Sequence, residues 1–561
     1  MSYRGFEGIN LQKTHSGDES ISLIENFRVS ADGSLKKRPC LEKLCDMPGN
    51  VSRSFHTVLD DKEIYYLLCQ NLIIKYTPHD NATKTLLEIP DYSSAYFLEY
   101  LGDIYLLTDA GMYKIDSDSA QTAKNYIPLY GKDWPSSRPG EIYEPINLLY
   151  DKVAISYNFV SPAHGFLSKG DLIVTNIDAI YRNGELFSPD KYYYDQEFDV
   201  ITLLEHEDGD EFLAIFSISH TGKALEQRKA LLGTSDATTF YELNNHSLLF
   251  WGDCANNKIF YSKKISEESR QVSNKYFSNE GTIYIPLDSH FTVDTPSSRV
   301  NAIVRHYDRV LIMTDSSTWM TDLQQLGMPE FQLKSINASL GCSIACGAIR
   351  IDNSIISISA NRVYCWRSNT DELNECNAYS ISSPIQELID NSFFKQCIIK
   401  AYPKFGEVWF HNPTSAITWI YNLNRSAWYK YSGFSAYCFL DSEEDIIIAE
   451  SCSIACFGNL YTNERTDKPT TIFKSGTLEF NSIKYKKMKL VVLRGEFSDG
   501  QLTIKLSFDN GKSLSYSFSP PKNHFVLPVR IRSGSFKTVS IELSSNGNGE
   551  QVIHGIDLYA K

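Results

Sequence analysis

Residues 62–76 read KEIYYLLCQNLIIKY, in which a polar turn separates two runs of alternating apolar residues. Each run is typical of a strand that buries one face, so the block predicts a β-hairpin. One hairpin cannot bury its own apolar face, and repeated copies must therefore pack against one another around an axis. Six further copies begin at Asp103, Ser247, Arg309, Ser354, Glu407 and Asp445. The repeat predicts an all-β fold built on a β-propeller of about seven blades.

The gap between the second and third copies is much longer than the others and predicts an insertion. Asn183-Gly184 lies between two strand-like runs there and indicates a type I′ hairpin. A second hairpin is expected from the runs Val200–Leu204 and Glu211–Ile218, with its turn at Glu207–Asp210. These strands predict a small β-sandwich inserted at residues 145–220.

Both ends of the chain depart from the repeat. The first 45 residues predict an arm with a short Asp32-Gly33 hairpin, which must lie on the body or on a neighbouring subunit because its core is too small. The C-terminal region alternates with a period of two and predicts a second sandwich. Its strands are expected at Lys487–Leu493, Gln501–Phe508, Ser513–Phe518, His524–Arg530 and Thr538–Leu543. The predicted domains are the arm (1–45), the first propeller part (46–140), the inserted β-sandwich (145–220), the second propeller part (221–465) and the C-terminal β-sandwich (466–561).

The composition agrees with a folded β protein of several domains. A chain of 561 residues is too long for one compact core. Aromatic residues make up 13% of the chain, which favours strands over helices. Helical periodicity is confined to two short segments, Lys223–Lys229 and Pro384–Ser392.

The formal net charge of −14 argues against a protein whose main task is to grip nucleic acid, because phosphate contacts require basic residues. Residues 1–12 lack the basic and apolar segments of a signal peptide, and no run of 18 apolar residues occurs. We therefore expect synthesis in a cytoplasm and no membrane span.

The twelve cysteines are scattered, and the pentapeptide CSIAC occurs twice, at Cys342–Cys346 and Cys452–Cys456. Side chains four residues apart on a strand share a face but lie about 13 Å apart, too far for one disulfide or metal ion without a bend. Buried thiols are the expectation, and a disulfide or metal site is the alternative.

The motifs G-x-S-x-G, H-E-x-x-H, G-x-x-x-x-G-K-[ST] and G-x-G-x-x-G do not occur, and the twelve histidines show no pair at metal-ligand spacing. Residues 507–512 match the start of an Asp-box turn, but Leu514 replaces the expected tryptophan, which favours a simple hairpin turn. The acidic runs Asp441–Asp445 and His206–Glu211 could bind a cation, although solvated turns are favoured. We expect no catalytic, cofactor-binding or metal-binding residues, no cofactor and no enzymatic activity.

The arm carries the most specific pattern. It contains Gly8-Ile9-Asn10, Glu25–Val29 (ENFRV), Asp32–Leu35 (DGSL) and Lys37–Pro39 (KRP). This order resembles the opening of bacteriophage propeller proteins of the head–tail neck or tail nozzle, with Cys40 where glycine is common. Looser matches follow in the same order at Tyr143–Leu149, Phe260–Ser262 with Phe277, Thr314–Trp319, and Tyr421-Asn422 with Trp428.

The resemblance implies a structural virion protein that forms a connector, stopper or nozzle around the DNA exit channel. It implies a homo-oligomeric ring, expected to be a hexamer, with portal, adaptor or other neck and tail proteins as neighbours. Genome DNA would pass the channel without sequence-specific binding. The net charge of −14 motivates one further hypothesis: if acidic side chains line the bore, they repel the DNA. The expected location is the virion, in the tail or neck, after synthesis in the host cytoplasm.

Two other functions stay open. A carbohydrate-binding or glycan-cleaving propeller, such as a receptor-binding tail component, would need two carboxylates about 5 to 10 Å apart for cleavage. A host-derived scaffold propeller that docks partner peptides is the third reading, and genome neighbourhood would discriminate it from a phage protein.

Overall fold

The structure is a computed structural model. It describes the chain except residues 1, 5, 7, 10, 12–20, 31, 160–163, 167–171, 243–244, 252–256, 277–282, 307–308, 323–332, 367–377, 443–444, 459–466, 468, 481–483 and 548. Several residues singled out from the sequence lie outside the described part, namely Asn10, Cys254, Phe277, Cys376, Glu443 and Glu444.

The fold is all-β, and within the described residues seven antiparallel units of four strands each are the blades of a β-propeller. Every repeated block of the sequence forms the two central strands of one blade, which confirms the predicted fold class and blade number. The chain divides into two compact units, residues 1–85 with 340–561 and residues 86–339.

The first unit holds four of the blades. Blade 1 consists of Val51–Leu59, Lys62–Cys69, Leu72–Thr77 and Ala82–Glu88, of which the last three residues belong to the second unit. Blade 5 consists of Ala348–Ile351, Ser354–Ser359, Arg362–Trp366 and Ala378–Ser380. Blade 6 consists of Ile398–Tyr402, Glu407–Asn412, Ile417–Asn422 and Ala427–Ser432. Blade 7 consists of Cys438–Leu440, Ile446–Ala449, Ser453–Phe457 and, from the other end of the chain, Leu41–Asp46.

The N-terminal strand closes blade 7. Leu41 pairs with Phe457, and Asp46 pairs with Ser453, so the outer strand of the last blade comes from the start of the chain. The first strand of blade 7 in turn contacts the first strand of blade 1. The closing strand therefore links two chain segments about 400 residues apart in sequence, which no local pattern specifies.

The C-terminal sandwich also recruits the arm. One sheet contains Ser2–Arg4, Phe27–Val29, Leu35–Lys37, Gln551–Ala560, Met488–Phe497 and Asn523–Arg530. The other contains Ile21–Glu25, Thr471–Ser475, Val539–Ser545, Leu502–Phe508 and Ser513–Phe518. Glu25 pairs with both Lys430 of blade 6 and Ile472, which makes blade 6 and this sheet continuous.

The predicted arm hairpin is confirmed, since Phe27–Val29 pairs with Leu35–Lys37. The turn residue Asp32 accepts hydrogen bonds from the amide and hydroxyl of Ser34 at 2.9 and 2.7 Å. The arm lies on the body of its own chain. The turn expected at residues 16–18 lies outside the described part.

The second unit holds three blades and the inserted sandwich. Blade 2 consists of Ala95–Tyr100, Asp103–Thr108, Gly111–Ile115 and Ala120–Thr122. Blade 3 consists of Asp236–Glu242, Asn245–Trp251, Lys258–Tyr261 and His290–Thr292. Blade 4 consists of Val300–His306, Arg309–Thr314, Thr318–Asp322 and Lys334–Asn337. The inserted sandwich has two sheets. The larger sheet contains Leu129–Pro135, Lys152–Asn158, Phe212–His220, Leu172–Arg182 and Glu185–Phe187, and the smaller sheet contains His164–Phe166, Val200–Leu203 and Tyr192–Asp195.

One predicted hairpin of the insert is confirmed and one is wrong. Arg182 pairs with Glu185 across Asn183-Gly184, and both turn residues have the positive φ of a type I′ turn. Val200–Leu203 and Phe212–His220, however, belong to different sheets. Because Phe212–His220 is buried on both faces, it takes the centre of the larger sheet, and the intervening loop carries the chain across the sandwich.

Helices are few, as the composition predicts. The expected segment at 223–229 lies in a helix at Gly222–Leu232, whereas Glu267–Tyr276 is a helix that the sequence analysis missed. The segment near 384–392 contains a 3₁₀ turn at Ser383–Leu388. Further 3₁₀ turns span Pro78–Asp80, Pro189–Lys191, Phe393–Gln396 and Pro403–Phe405. The domain boundaries given above stay predictions.

Candidate functional site

The arm motif forms a polar clasp with blade 6, centred on Asn26. The backbone of Asn26 is left-handed, with φ of 56°, which asparagine tolerates better than most residues. Its Oδ1 accepts hydrogen bonds from Nε of Arg38 and from the amide of Ser432, each at 2.9 Å. Its Nδ2 donates to the carbonyl oxygen of Thr470 at 2.8 Å. One side chain thus ties the arm hairpin to blade 6 and to the start of the C-terminal sandwich.

Arg38 is the second element of the clasp and is only 1% exposed. Its Nη2 donates to the carbonyl of Ser432 at 2.9 Å and forms an ion pair with Asp467 at 2.5 Å. Aromatic rings of Tyr431, Phe434 and Phe457 surround the guanidinium, with centroids 5.5 to 5.8 Å from its carbon. A permanently charged group can be buried here because its donors and its charge are satisfied together.

Arg28 and Glu407 form the third element. Glu407 is fully buried at the start of a strand of blade 6. Its Oε1 accepts from Nε of Arg28 at 2.8 Å, and Nη2 of Arg28 lies 2.7 Å from the same oxygen. Trp409 Nε1 donates to Oε2 at 3.1 Å, and the hydroxyl of Tyr429 also donates to the carboxylate. Asn26, Arg28 and Arg38 of the resembled motif therefore all make internal contacts within the first unit.

A cleft of about 380 Å³ lies beside blades 1, 6 and 7 and contains part of the acidic run predicted at Asp441–Asp445. Its lining includes Asp441, Asp445, His56 and Tyr402. Asp441 forms an ion pair with Lys400 across the cleft. The hydroxyl of Tyr402 is buried without a hydrogen-bond partner, and burial holds the pKa of this phenol well above its usual value. The cleft thus combines carboxylates with an unsatisfied hydroxyl donor.

The other motifs considered from the sequence form turns. Asp210, in the run His206–Glu211, forms an ion pair with Arg182 at 2.7 Å and accepts from Asn183 at 2.8 Å. These contacts favour a structural turn. Residues 509–512 connect two paired strands of the C-terminal sandwich, as expected for a hairpin.

No disulfide links the ten cysteines within the described part of the chain. Cys40, Cys69, Cys342, Cys365 and Cys456 are buried, as predicted, and burial raises the pKa of the Cys342 thiol to about 11. The expectation is wrong for one member of each CSIAC pair, because Cys346 and Cys452 are exposed. Both exposed residues lie in turns outside the strands, where alternation no longer governs burial.

His411 is a fully buried titratable group that the sequence analysis missed. Its Nε2 accepts from the amide of Ala436 at 2.9 Å, so the proton of the neutral ring lies on Nδ1, 2.9 Å from the hydroxyl of Thr418. The ring stacks on Phe434 at 5.2 Å. Burial lowers the pKa of His411 to about 3.

We expect this histidine to make the first unit sensitive to acid. The unfolded chain binds a proton near pH 6.5, whereas the folded chain does not until about pH 3, so stability is lost as the pH falls through this range. The loss approaches about 1.4 kcal/mol per pH unit below the unfolded pKa. Denaturant unfolding at pH 7, 6 and 5 measures it. His411→Gln should reduce the slope, because it removes the buried titratable ring.

No family model matches this sequence, and no curated protein matches it. Distant likenesses exist among solved structures. The WD40 domain of SCAP from fission yeast is 11% identical, covers 77% of this chain and 98% of its own, and has a TM-score of 0.33. An exo-β-1,3-galactanase from Phanerochaete chrysosporium is 11% identical, with coverages of 84% and 97% and a TM-score of 0.18. PorZ, a type-IX secretion component of Porphyromonas gingivalis, is 11% identical, with coverages of 88% and 60% and a TM-score of 0.24. These likenesses are too distant to assign an activity.

Proposed function

We propose that this chain is a structural virion protein of a tailed bacteriophage, which forms a ring at the head–tail neck or tail tube. The observation that carries the proposal is the arm motif. Its polar residues Asn26, Arg28 and Arg38 hold the arm in the clasp, so the motif that resembles phage propeller proteins has an architectural use in this chain. Such contacts suit a structural protein, because each one holds together two segments that are hundreds of residues apart in the sequence.

The inserted sandwich exposes apolar side chains on both of its sheets, and these are suited to contacts between subunits. Large exposed apolar side chains concentrate in this part of the chain, and such side chains are common in protein interfaces. They are Ile173 (52% exposed), Leu186 (68%), Tyr193 (60%), Phe198 (65%) and Leu204 (64%). In a ring, these side chains would contact a second copy of the same chain.

Ring assembly is the direct test. Light scattering and electron microscopy of the purified chain are expected to show a closed ring whose mass is a multiple of 63.7 kDa. The double variant Phe198→Ser/Leu204→Ser should shift the chain towards monomer because it removes apolar contact area. Leu101→Ser, in a turn of blade 2, is the control and should leave assembly intact. A chain that stays monomeric at every concentration and is absent from purified particles would contradict the proposal.

A glycan-binding or glycan-cleaving propeller is the second candidate, favoured by the cleft that contains Asp441 and Asp445. Carboxylates and a tyrosine hydroxyl are groups that bind sugar hydroxyls. A glycan array followed by a glycosidase assay distinguishes the two functions. Binding that Asp445→Asn abolishes would support the second.

A further inference from the structure

Three side chains converge on the outer face of the C-terminal sandwich. Oε1 of Glu496 lies 3.2 Å from Nδ1 of His524 and 3.2 Å from Nε2 of His554. One ligand atom from each of the three residues lies within 4.8 Å of the other two. Two imidazoles and one carboxylate thus share a small volume.

The strand register explains how these residues meet. Glu496 directly opposes His524 in one antiparallel pair. On its other side the pairing skips His554, which is the extra residue of a β-bulge between Ile553 and Gly555. A bulge changes the direction in which a side chain points. Here it places the side chain of His554 on the outward face that carries Glu496.

At the bulge, the backbone at Gly495 lies unusually close to the neighbouring strand. A Cβ added to Gly495 would lie 2.2 Å from the carbonyl oxygen of Val552 and 3.2 Å from the ring of Phe525. Any larger residue at 495 must therefore displace the bulged strand. The position of His554 depends on glycine at the residue preceding Glu496.

We propose that Glu496, His524 and His554 bind a divalent transition metal ion, with Zn²⁺ as the probe. Zn²⁺ binds imidazole and carboxylate at about 2.0 to 2.2 Å, and the ligand atoms of a tetrahedral site are then about 3.4 Å apart. The two distances of 3.2 Å match that separation. Nitrogen ligands select transition metals over Mg²⁺ and Ca²⁺. The side chain of His524 is 81% exposed, so solvent or a partner's side chain can take a fourth position.

A bound ion would cross-link Asn523–Arg530, Met488–Phe497 and Gln551–Ala560. The last of these strands also pairs with Ser2–Arg4 and with Leu35–Lys37 of the arm. The metal would therefore strengthen the sheet that anchors the arm. The inference goes beyond the proposed ring function, and it can be measured on the isolated chain whether or not a ring forms.

Calorimetric titration of the EDTA-treated full chain with Zn²⁺ tests the site. We expect a site that takes one ion per chain with a Kd of about 10 µM or tighter. His524→Ala, His554→Ala and Glu496→Gln should each weaken binding at least tenfold, on the order of losses known for metal-site residues. His79→Ala is the matched control, because His79 is also exposed beside a carboxylate, that of Asp80.

Cysteine thiolates elsewhere in the chain can also bind Zn²⁺. Titration with Co²⁺ distinguishes binding at such thiolates from binding at the proposed site. A site with nitrogen and oxygen ligands gives visible bands without the thiolate charge-transfer absorption. These bands should disappear in the double variant His524→Ala/His554→Ala. Visible Co²⁺ bands without thiolate absorption that survive the double variant would overturn the proposal, as would the absence of binding below about 100 µM.

Discussion

Arg38→Met is expected to lower the free energy of unfolding of the first unit by about 4 kcal/mol. The substitution keeps the apolar contacts with Tyr431, Phe434 and Phe457 but removes the positive charge. Asp467, whose side chain is 8% exposed, then loses its counter-charge and keeps only the hydrogen bond from the amide of Leu41. Denaturant unfolding followed by tryptophan fluorescence measures the loss, because three tryptophans lie in blade 6.

A double variant separates the charge from the packing. Arg38→Met/Asp467→Asn should recover about half of the loss, since it removes the uncompensated carboxylate as well. Arg53→Met, at an exposed arginine of blade 1, should change stability by less than about 0.5 kcal/mol. If Arg38→Met were as mild as Arg53→Met, the clasp would not stabilise the unit.

Arg28→Ala is expected to lower the free energy of unfolding of the first unit by about 3 kcal/mol. It leaves the carboxylate of Glu407 fully buried, with only the donors of Trp409 and Tyr429. It also removes the cation that lies 4.0 Å from the ring centroid of Phe405. The same fluorescence-detected unfolding measures the effect.

The matched control is Lys36→Ala on the neighbouring arm strand. Lys36 pairs with Glu550 at 2.8 Å, but the two side chains are 51% and 61% exposed, so solvent screens the pair. Lys36→Ala should therefore lower the free energy of unfolding by less than about 1 kcal/mol. The double variant Arg28→Ala/Glu407→Gln should be more stable than Arg28→Ala alone. Equal losses for Arg28→Ala and Lys36→Ala would show that burial of Glu407 does not matter.

The strands and their turns could be predicted where the signal is local. KEIYYLLC and LIIKYT alternate on either side of a polar turn, and both the alternation and the turn residues are local signals. The insert hairpin at Asn183-Gly184 was predicted on the same grounds. The hairpin expected across Glu207–Asp210 was wrong because a longer loop permits the chain to change sheets.

The candidate sites could not be predicted in this way. Glu407 begins an apolar block, and nothing near it in sequence identifies Arg28 as its partner. His524 and His554 show no metal-ligand spacing along the chain, yet a strand on each side of Glu496 brings them together. His411 resembles any histidine in a strand until its burial is known.

We could predict the all-β character, the seven repeated hairpins and the presence of two further β regions from the amino-acid sequence alone. These follow from alternation and turn chemistry, which act over a few residues. The sheet to which each strand belongs is known only from the fold, in which Leu41–Asp46 completes blade 7 and Arg38 forms an ion pair with Asp467. Such pairs depend on the packing of distant segments, because burial and charge pairing are properties of the assembled sheets and not of any short stretch.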